Sequence, residues 1–158
     1  MTERTIDESR ASISNVMLPS QANPAGNVHG GEIMKLMDVC GSVTAMRHAR
    51  SNVVTVRVDE LVFYHPVFVG QLVTCESNLV FAGTTSMEIC VTVRVENLTG
   101  EGEPKTALTA YFSFVALDEA GHPCPVPRLK LLTEQEMDAF ELGRKRYEKY
   151  KRRRLSKD

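Results

Sequence analysis

The spacing of apolar residues changes along the chain and divides it into predicted strands and helices. From residue 32 to 49 apolar side chains recur three and four positions apart without a proline, which predicts a helix with a wide apolar surface. Residues 9–18 mix β-branched and apolar side chains as far as Pro19, which predicts a short first strand. The stretch between, LPSQANPAGNVHGG, is so rich in Pro, Asn and Gly that we expect a loop as far as Gly31.

Four segments after the predicted helix alternate apolar and polar residues, as half-buried strands do. They cover residues 53–63, 71–81, 86–96 and 105–118. In the clearest of them, one face is expected to carry Met87, Ile89, Val91, Val93 and Val95. In the first, Val54, Val56 and Val58 are expected on one face, and Thr55, Arg57 and Asp59 on the other.

The order of these elements predicts an α+β fold. Short or moderate loops between consecutive strands favour an antiparallel meander. One long, largely apolar helix would then be buried against this sheet. Gly41 near its middle is unfavourable in a helix, so we expect a close backbone approach there.

The C-terminal segment is a separate, charged feature. Residues 133–158 predict a final helix, because Thr133 followed by Glu136 has the spacing of a capping box. We therefore predict one domain over residues 1–132 and a charged helix after it. Its basic end could bind nucleic acid or a membrane, but a solvated helix end is the favoured interpretation, with neither partner expected.

Composition narrows the class of protein. A chain of 158 residues with 42% apolar and 25% charged residues is typical of one folded domain and argues against a membrane span. No secretory signal is readable at the start, so a cytoplasmic location is expected. The four cysteines and four histidines are dispersed, which argues against a metal site and favours reduced thiols.

Candidate chemistry concentrates between Asn23 and Asp38. Gly30 and Gly31 at a helix start leave backbone N–H groups open to a polarised carbonyl oxygen, although the pair could equally be a flexible entry to the helix. Asp38 is a carboxylate among apolar neighbours and needs a partner, water or a function. An ion pair with Lys35 or Arg47 is the structural alternative.

Two further residues of this run have structural alternatives of their own. Asn23 lies in a loop rich in Gly and Pro, where its side chain can simply close an Asx turn. His29 can be a packing residue at the helix start rather than a participant in catalysis. The residues alone leave these alternatives open.

The run from Asn23 to Gly31 together with Asp38 resembles the acyl-CoA thioesterases of the hotdog fold, both small bacterial enzymes and brain-type hydrolases. The resemblance extends to residues 65–71, HPVFVGQ, to residues 82–87, AGTTSM, and to Val126-Pro127. It implies a hotdog fold, an antiparallel sheet wrapped around one central helix. It also implies an acyl-CoA substrate and a homo-oligomer, a dimer commonly assembled to a hexamer.

The resemblance also assigns roles to residues. Asp38 would be the general base or nucleophile, Asn23 would position water or the carbonyl, and the Gly31 amide would polarise the thioester. His29 would lie beside them, and Gly83, Thr85 and Ser86 would lie near the CoA phosphates. No metal or redox cofactor is implied, since CoA is part of the substrate, and no serine nucleophile elbow occurs in the sequence.

Two other functions remain open at this stage. A hotdog hydratase or dehydratase acting on acyl thioesters would use a differently placed histidine, for which His29 is the only candidate here. A non-catalytic acyl-CoA-binding module is the second, although such sensors usually carry a DNA-binding helix pair. Hydrolysis of acyl-CoA is the favoured function.

Overall fold

A sheet with one helix on each face forms the body of the protein. The computed structural model describes residues 2–157. Its strands are β1 Glu3–Thr5, β2 Ala11–Val16, β3 Asn52–Phe63, β4 Leu72–Ala82, β5 Ser86–Glu96, β6 Lys105–Leu117 and β7 Arg128–Lys130. Its helices are α1 Gly30–Ala49 and α2 Glu134–Lys157, with a short 3-10 turn at Pro19–Gln21. The expected α+β architecture, an antiparallel sheet packed on one long helix with a further helix at the C-terminus, is confirmed.

The order of strands in the sheet corrects one prediction. The five-stranded sheet runs β2-β4-β5-β6-β3, and all neighbours are antiparallel. A meander is right for β4, β5 and β6 but wrong for β3, which pairs with β6. The reason is that α1 contacts all five strands and carries the chain across the sheet from β2 at one edge to β3 at the other. The short parallel pair of β1 with β7 was not predicted.

One stripe of α1 forms the centre of the core. Its buried residues are three and four positions apart, as the periodicity predicts: Ile33, Met37, Cys40, Gly41, Thr44, Ala45 and His48. They face the inner side of the sheet, where Phe112 and Phe114 are buried. A Cβ atom on Gly41 would lie 3.2 Å from the Phe114 ring, so the expected close approach of α1 to the sheet is confirmed.

A β-bulge in β3 corrects the predicted faces of that strand. Thr55 pairs with Phe114, whereas Arg57 pairs with Ser113, so the register shifts between them. Phe114 faces α1, so Thr55 points to the helix side and Arg57 to the opposite side. The valines predicted to share a face do not share one, because the bulge inserts a residue between them. Val54, Val56 and Val58 are all exposed.

The C-terminal helix covers part of the outer face of the sheet. Its start follows the predicted cap in part: Thr133 Oγ1 accepts the N–H of Glu136, while the Glu136 carboxylate accepts the N–H of Leu132 rather than that of Thr133. Phe140 and Tyr147 pack on Phe81, with ring centroids 5.0 and 5.5 Å apart. Whether residues 1–132 fold as a separate domain stays a prediction.

Membrane spans, metal ligands and thiols can be assessed over residues 2–157 as a whole. No helix within residues 2–157 is long and apolar enough to cross a membrane. In the same part of the chain, no three His, Cys, Asp or Glu side chains gather as metal ligands would. The four cysteines are free thiols, as expected, and burial raises the pKa of Cys75 to about 12.

Candidate active site

The loop before α1 is organised by the side chain of Asn23. Its Oδ1 accepts the backbone N–H groups of Ala25 and Asn27 at 3.0 and 3.1 Å, and its own N–H donates to Asn27 O at 2.9 Å. This is the turn geometry that the structural alternative described. Both of these side-chain hydrogen bonds use Oδ1, so Nδ2 is the Asn23 atom that can donate to a bound water or carbonyl.

The start of α1 presents backbone N–H groups to solvent. The helix begins at Gly30, two residues earlier than expected, with His29 at the N-cap position in an extended conformation. Glu32 and Ile33 donate their N–H groups to His29 O, whereas the amides of Gly30 and Gly31 precede that first turn. A Cβ atom on Gly31 would meet no atom within 4 Å. An acyl oxygen can therefore approach the Gly31 amide.

His29 lies directly before the first turn of α1. Its side chain is exposed and makes no capping hydrogen bond to the first turn. Its backbone N–H donates to Gln21 O at 3.0 Å, which ties the helix start to the 3-10 turn. The imidazole is thus adjacent to the glycine amides but is not fixed by a hydrogen bond to them.

Asp38 is held by a hydrogen bond from strand β3 rather than by an ion pair. Its half-buried carboxylate accepts a hydrogen bond from the hydroxyl of Thr55, with Oγ1 2.6 Å from Oδ1. Among the described residues, the ion pairs do not include one from Asp38 to Lys35 or Arg47. The structural alternative of an ion pair is therefore wrong. The single hydrogen bond leaves Oδ2 available to accept a proton or to attack.

One chain does not bring all the candidate residues together. Asp38 follows Gly31 by seven helical positions, which corresponds to about 10 Å along the axis. A single thioester carbonyl cannot contact groups that far apart. Within residues 2–157, no hydrogen bond joins the Asn23 loop to Asp38. The chain supplies one cluster at the helix start and a second at Asp38 and Thr55.

The turn between β4 and β5 holds the residues expected near the CoA phosphates. The N–H of Gly83 donates to Ser86 O at 2.8 Å, and the Thr85 carbonyl accepts the N–H of Ala116 at 3.0 Å. Ser86 pairs with Val115, which pairs with Val54, so the turn lies two strands from Thr55 at one end of the sheet. Met87 pairs with Phe114 on the α1 side, so Ser86 points to the other side, away from Asp38.

Comparison with known proteins places this arrangement in a family. A family model described as the thioesterase superfamily matches residues 25–100, which include Asp38 and the turn at Gly83 to Ser86. An acyl-CoA thioester hydrolase, YciA, of Salmonella typhimurium is 38% identical over 117 residues, 73% of this chain and 88% of the relative. This chain belongs to the thioesterase superfamily.

Two further relatives extend the comparison. The crystal structure of an acyl-CoA hydrolase from Bacillus cereus matches with a TM-score of 0.89 and 34% identity, covering 99% of this chain and 94% of the other. A cytosolic acyl coenzyme A thioester hydrolase of Rattus norvegicus is 36% identical over 95% of this chain. The present chain spans about 40% of the length of that relative.

Thr55 is the residue of this candidate site that the sequence did not reveal. Simple alternation places it on the polar face with Arg57, away from the helix. The bulge between the two residues turns Thr55 towards Asp38 instead. No signal in the residue pattern marks that bulge, because neither Gly nor Pro occurs between residues 52 and 63.

Proposed function

We propose that the protein hydrolyses the thioester of acyl-CoA to a free acid and CoA. Water adds to the carbonyl carbon as its proton passes to Asp38, and the carbon–sulfur bond of the resulting tetrahedral intermediate then breaks. The proton returns to the departing CoA sulfur, so atoms and charge balance. A thioester has a good leaving group, so an activated water and a stabilised oxyanion are sufficient.

The hydrogen bond from Thr55 to Asp38 is the observation that carries this proposal. It fixes a carboxylate that has no partner of opposite charge among the described residues, on a helix whose start presents the Gly31 amide. Asp38 acts as general base or nucleophile, and Gly31 N–H polarises the carbonyl. Asn23 positions the water or the carbonyl, with His29 beside it.

Variants of a solved relative support this set of residues. Structures of an acyl-CoA hydrolase from Staphylococcus aureus, 28% identical to this chain, include alanine variants of one asparagine, one aspartate and one threonine. The aspartate follows the asparagine by 15 residues, and the threonine follows the aspartate by 17. Asn23, Asp38 and Thr55 have the same spacings.

The substrate and assembly are proposed on the same basis. The S. aureus enzyme has been solved with butyryl coenzyme A, and a hexameric acyl-CoA thioesterase is 33% identical over 97% of this chain. In the present chain, the edge strand β3 exposes Val54, Val56, Val62 and Phe63. We infer a homo-oligomer built from dimers that join at this edge and assemble to a hexamer. A two-fold pairing also allows the cluster at one helix start to complete the Asp38 site of the partner.

Hydrolysis of a panel of acyl-CoAs, from acetyl to palmitoyl, by wild type and Asp38→Asn tests the function. Asp38→Asn keeps the shape of the side chain but removes the base, so turnover should fall about 100-fold or more with CoA binding retained. Released CoA thiol is measured against time, and folding is checked by circular dichroism. Wild-type protein that binds acyl-CoA without hydrolysing it would instead be a binding module.

A second arm of the assay addresses the remaining expectations. Crotonyl-CoA distinguishes a hydratase, which would consume the double bond without releasing CoA. We propose that no cofactor is needed, so dialysis against a chelator should leave turnover unchanged. The cytoplasmic location expected from the sequence stays a prediction.

A further inference from the structure

The bulge in β3 connects two sites on opposite faces of the sheet. Thr55 and Arg57 are separated by one residue, yet Thr55 contacts Asp38 on the α1 side while Arg57 lies under α2 on the other side. A bulge leaves one residue of a strand without a partner and is therefore a local weak point in the ladder. The position of Thr55 therefore depends on the contacts that stabilise the bulge.

Arg57 directly follows the bulge and makes its contacts on the α2 side of the sheet. Its Nη2 donates to Ser113 Oγ at 3.2 Å and lies 3.5 Å from Glu88 Oε2, and its Nη1 donates to Arg146 O at 3.3 Å. Its guanidinium also lies over the Tyr150 ring, 4.3 Å from the centroid. These contacts reach a neighbouring strand, the strand beyond it and α2.

The anchors of Arg57 are themselves buried and fixed. Glu88 is only 2% exposed and receives Arg146 Nε at 2.7 Å and Nη2 at 2.6 Å, while the Arg146 guanidinium stacks on Tyr111 at 3.7 Å. Burial raises the pKa of Glu88, and the guanidinium groups of Arg146 and Arg57 oppose that rise. The side chains of Arg57 and Arg146 are only 12% and 14% exposed, so this cluster lies largely buried between α2 and the sheet.

We propose that Arg57 is a positioning residue for catalysis, acting through Thr55 on Asp38, and this rests on the function proposed above. With its guanidinium held by Ser113, Tyr150 and α2, the bulge keeps one geometry, and the Thr55 hydroxyl stays within hydrogen-bond distance of Asp38. Helix α2 then influences the candidate site through its two contacts with Arg57, at Arg146 O and the Tyr150 ring. Loss of the contacts between α2 and Arg57 makes the hydrogen bond from Thr55 to Asp38 less well fixed.

A double-mutant cycle with Arg57→Gln and Thr55→Val tests this proposal. Arg57→Gln leaves Glu88 paired with Arg146, so no carboxylate is stranded by the change. Each single variant should lower kcat about tenfold, the value of one hydrogen bond to a charged group, with KM changed less than about twofold. The double variant should turn over no more slowly than Thr55→Val, because Arg57 acts only through Thr55.

Matched variants separate positioning from stability. Phe140→Leu removes part of the packing of α2 on Phe81 but leaves both α2 contacts of Arg57, with Arg146 O and the Tyr150 ring, in place, so it should lower the unfolding midpoint while keeping kcat per folded site. Tyr150→Leu removes the ring under the guanidinium and should lower kcat severalfold in wild type but not in Thr55→Val. If Arg57→Gln fails to fold, Tyr150→Leu completes the cycle.

The outcomes distinguish the inference from the function on which it rests. Wild-type protein that hydrolyses no acyl-CoA refutes the proposed function. Active wild type with an Arg57→Gln effect that multiplies that of Thr55→Val, about 100-fold in the double variant, refutes the positioning role. The role is also refuted if Phe140→Leu lowers kcat as much as Arg57→Gln at equal loss of stability.

Discussion

His48 is a fully buried side chain at the end of α1 that can make stability depend on pH. Its Nε2 lies 2.8 Å from Pro127 O and donates to it, and Nδ1 is buried without a hydrogen-bond partner among the described residues. Burial lowers the pKa of His48, because a charged ring would lose its hydration there. The folded protein therefore binds this proton less readily than the unfolded chain.

We predict that the free energy of unfolding falls as pH falls below about 6.5, the ordinary value for histidine, until the lowered folded pKa is reached. Above that range the neutral ring is present in both states, so His48 adds no pH dependence. Between the two pKa values the slope approaches about 1.4 kcal/mol per pH unit. Urea unfolding from pH 7.5 to 5 measures it, and His48→Gln should have the shallower slope. Equal slopes would show that other groups cause the loss.

A charge introduced at Ser86 tests whether the turn between β4 and β5 binds CoA. If phosphate oxygens approach this turn, Ser86→Asp should raise KM for acyl-CoA about fivefold, since two unit charges about 4 Å apart in water repel by about 1 kcal/mol. Ser86→Asn has the same size without the charge and should leave KM close to that of wild type. Steady-state kinetics with both variants gives the answer. An unchanged KM for the Asp variant would move the phosphate site elsewhere.

At the scale of elements, the close packing of α2 on the sheet requires a glycine at position 143. A Cβ atom on Gly143 would lie 2.8 Å from Phe81 Cβ, closer than packed atoms approach. Phe81 is itself buried between Phe140 and Tyr147, so it has little room to shift. Helix propensity alone would favour alanine here by about 1 kcal/mol.

We predict that Gly143→Ala destabilises the protein by about 1–3 kcal/mol, because overpacking outweighs the gain in propensity. Thermal and urea unfolding of the variant measure the change. Lys145→Ala, at an exposed position on the same helix, is the control and should change stability by less than about 0.5 kcal/mol. A stabilised Gly143→Ala would mean that α2 can slide on the sheet.

For the whole molecule, the question is whether one active site uses two chains. The start of α1 and Asp38 are too far apart for one carbonyl, and the apolar edge strand β3 provides a surface for a second copy. A two-fold axis at that edge would bring the cluster at one helix start to Asp38 of the other chain. The proposed site is then complete only in the assembly.

Mixing inactive Asn23→Ala protomers with inactive Asp38→Asn protomers tests the shared site. With random pairing, half of the dimers are mixed and half of their sites are intact, so roughly a quarter of wild-type activity should return. Subunit exchange is verified independently, by mass spectrometry of differently tagged chains. Verified exchange without recovered activity would place Asn23 and Asp38 in one chain's own site.

The sequence by itself determined the elements and the location of the chemistry. Periodicity located α1, because its buried stripe repeats every three or four residues, and it located β3 to β6, because apolar and polar residues alternate along them. The short strands β1 and β7 were not predicted. The Pro, Asn and Gly residues marked the loop before α1. The carboxylate at Asp38 was conspicuous because it interrupts an apolar stretch.

Only the tertiary structure decided how these pieces meet. Local patterns place β3 beside β4, but the path of α1 across the sheet delivers β3 to the far edge. The alternating pattern predicts that neither Glu88 nor Thr55 is buried. Docking of α2 nevertheless buries Glu88, and the bulge in β3 turns Thr55 towards Asp38. The physical reason is that a residue pattern shows only which side chains face the core and which face solvent. Strand pairing and bulges are determined by contacts between segments far apart in the chain.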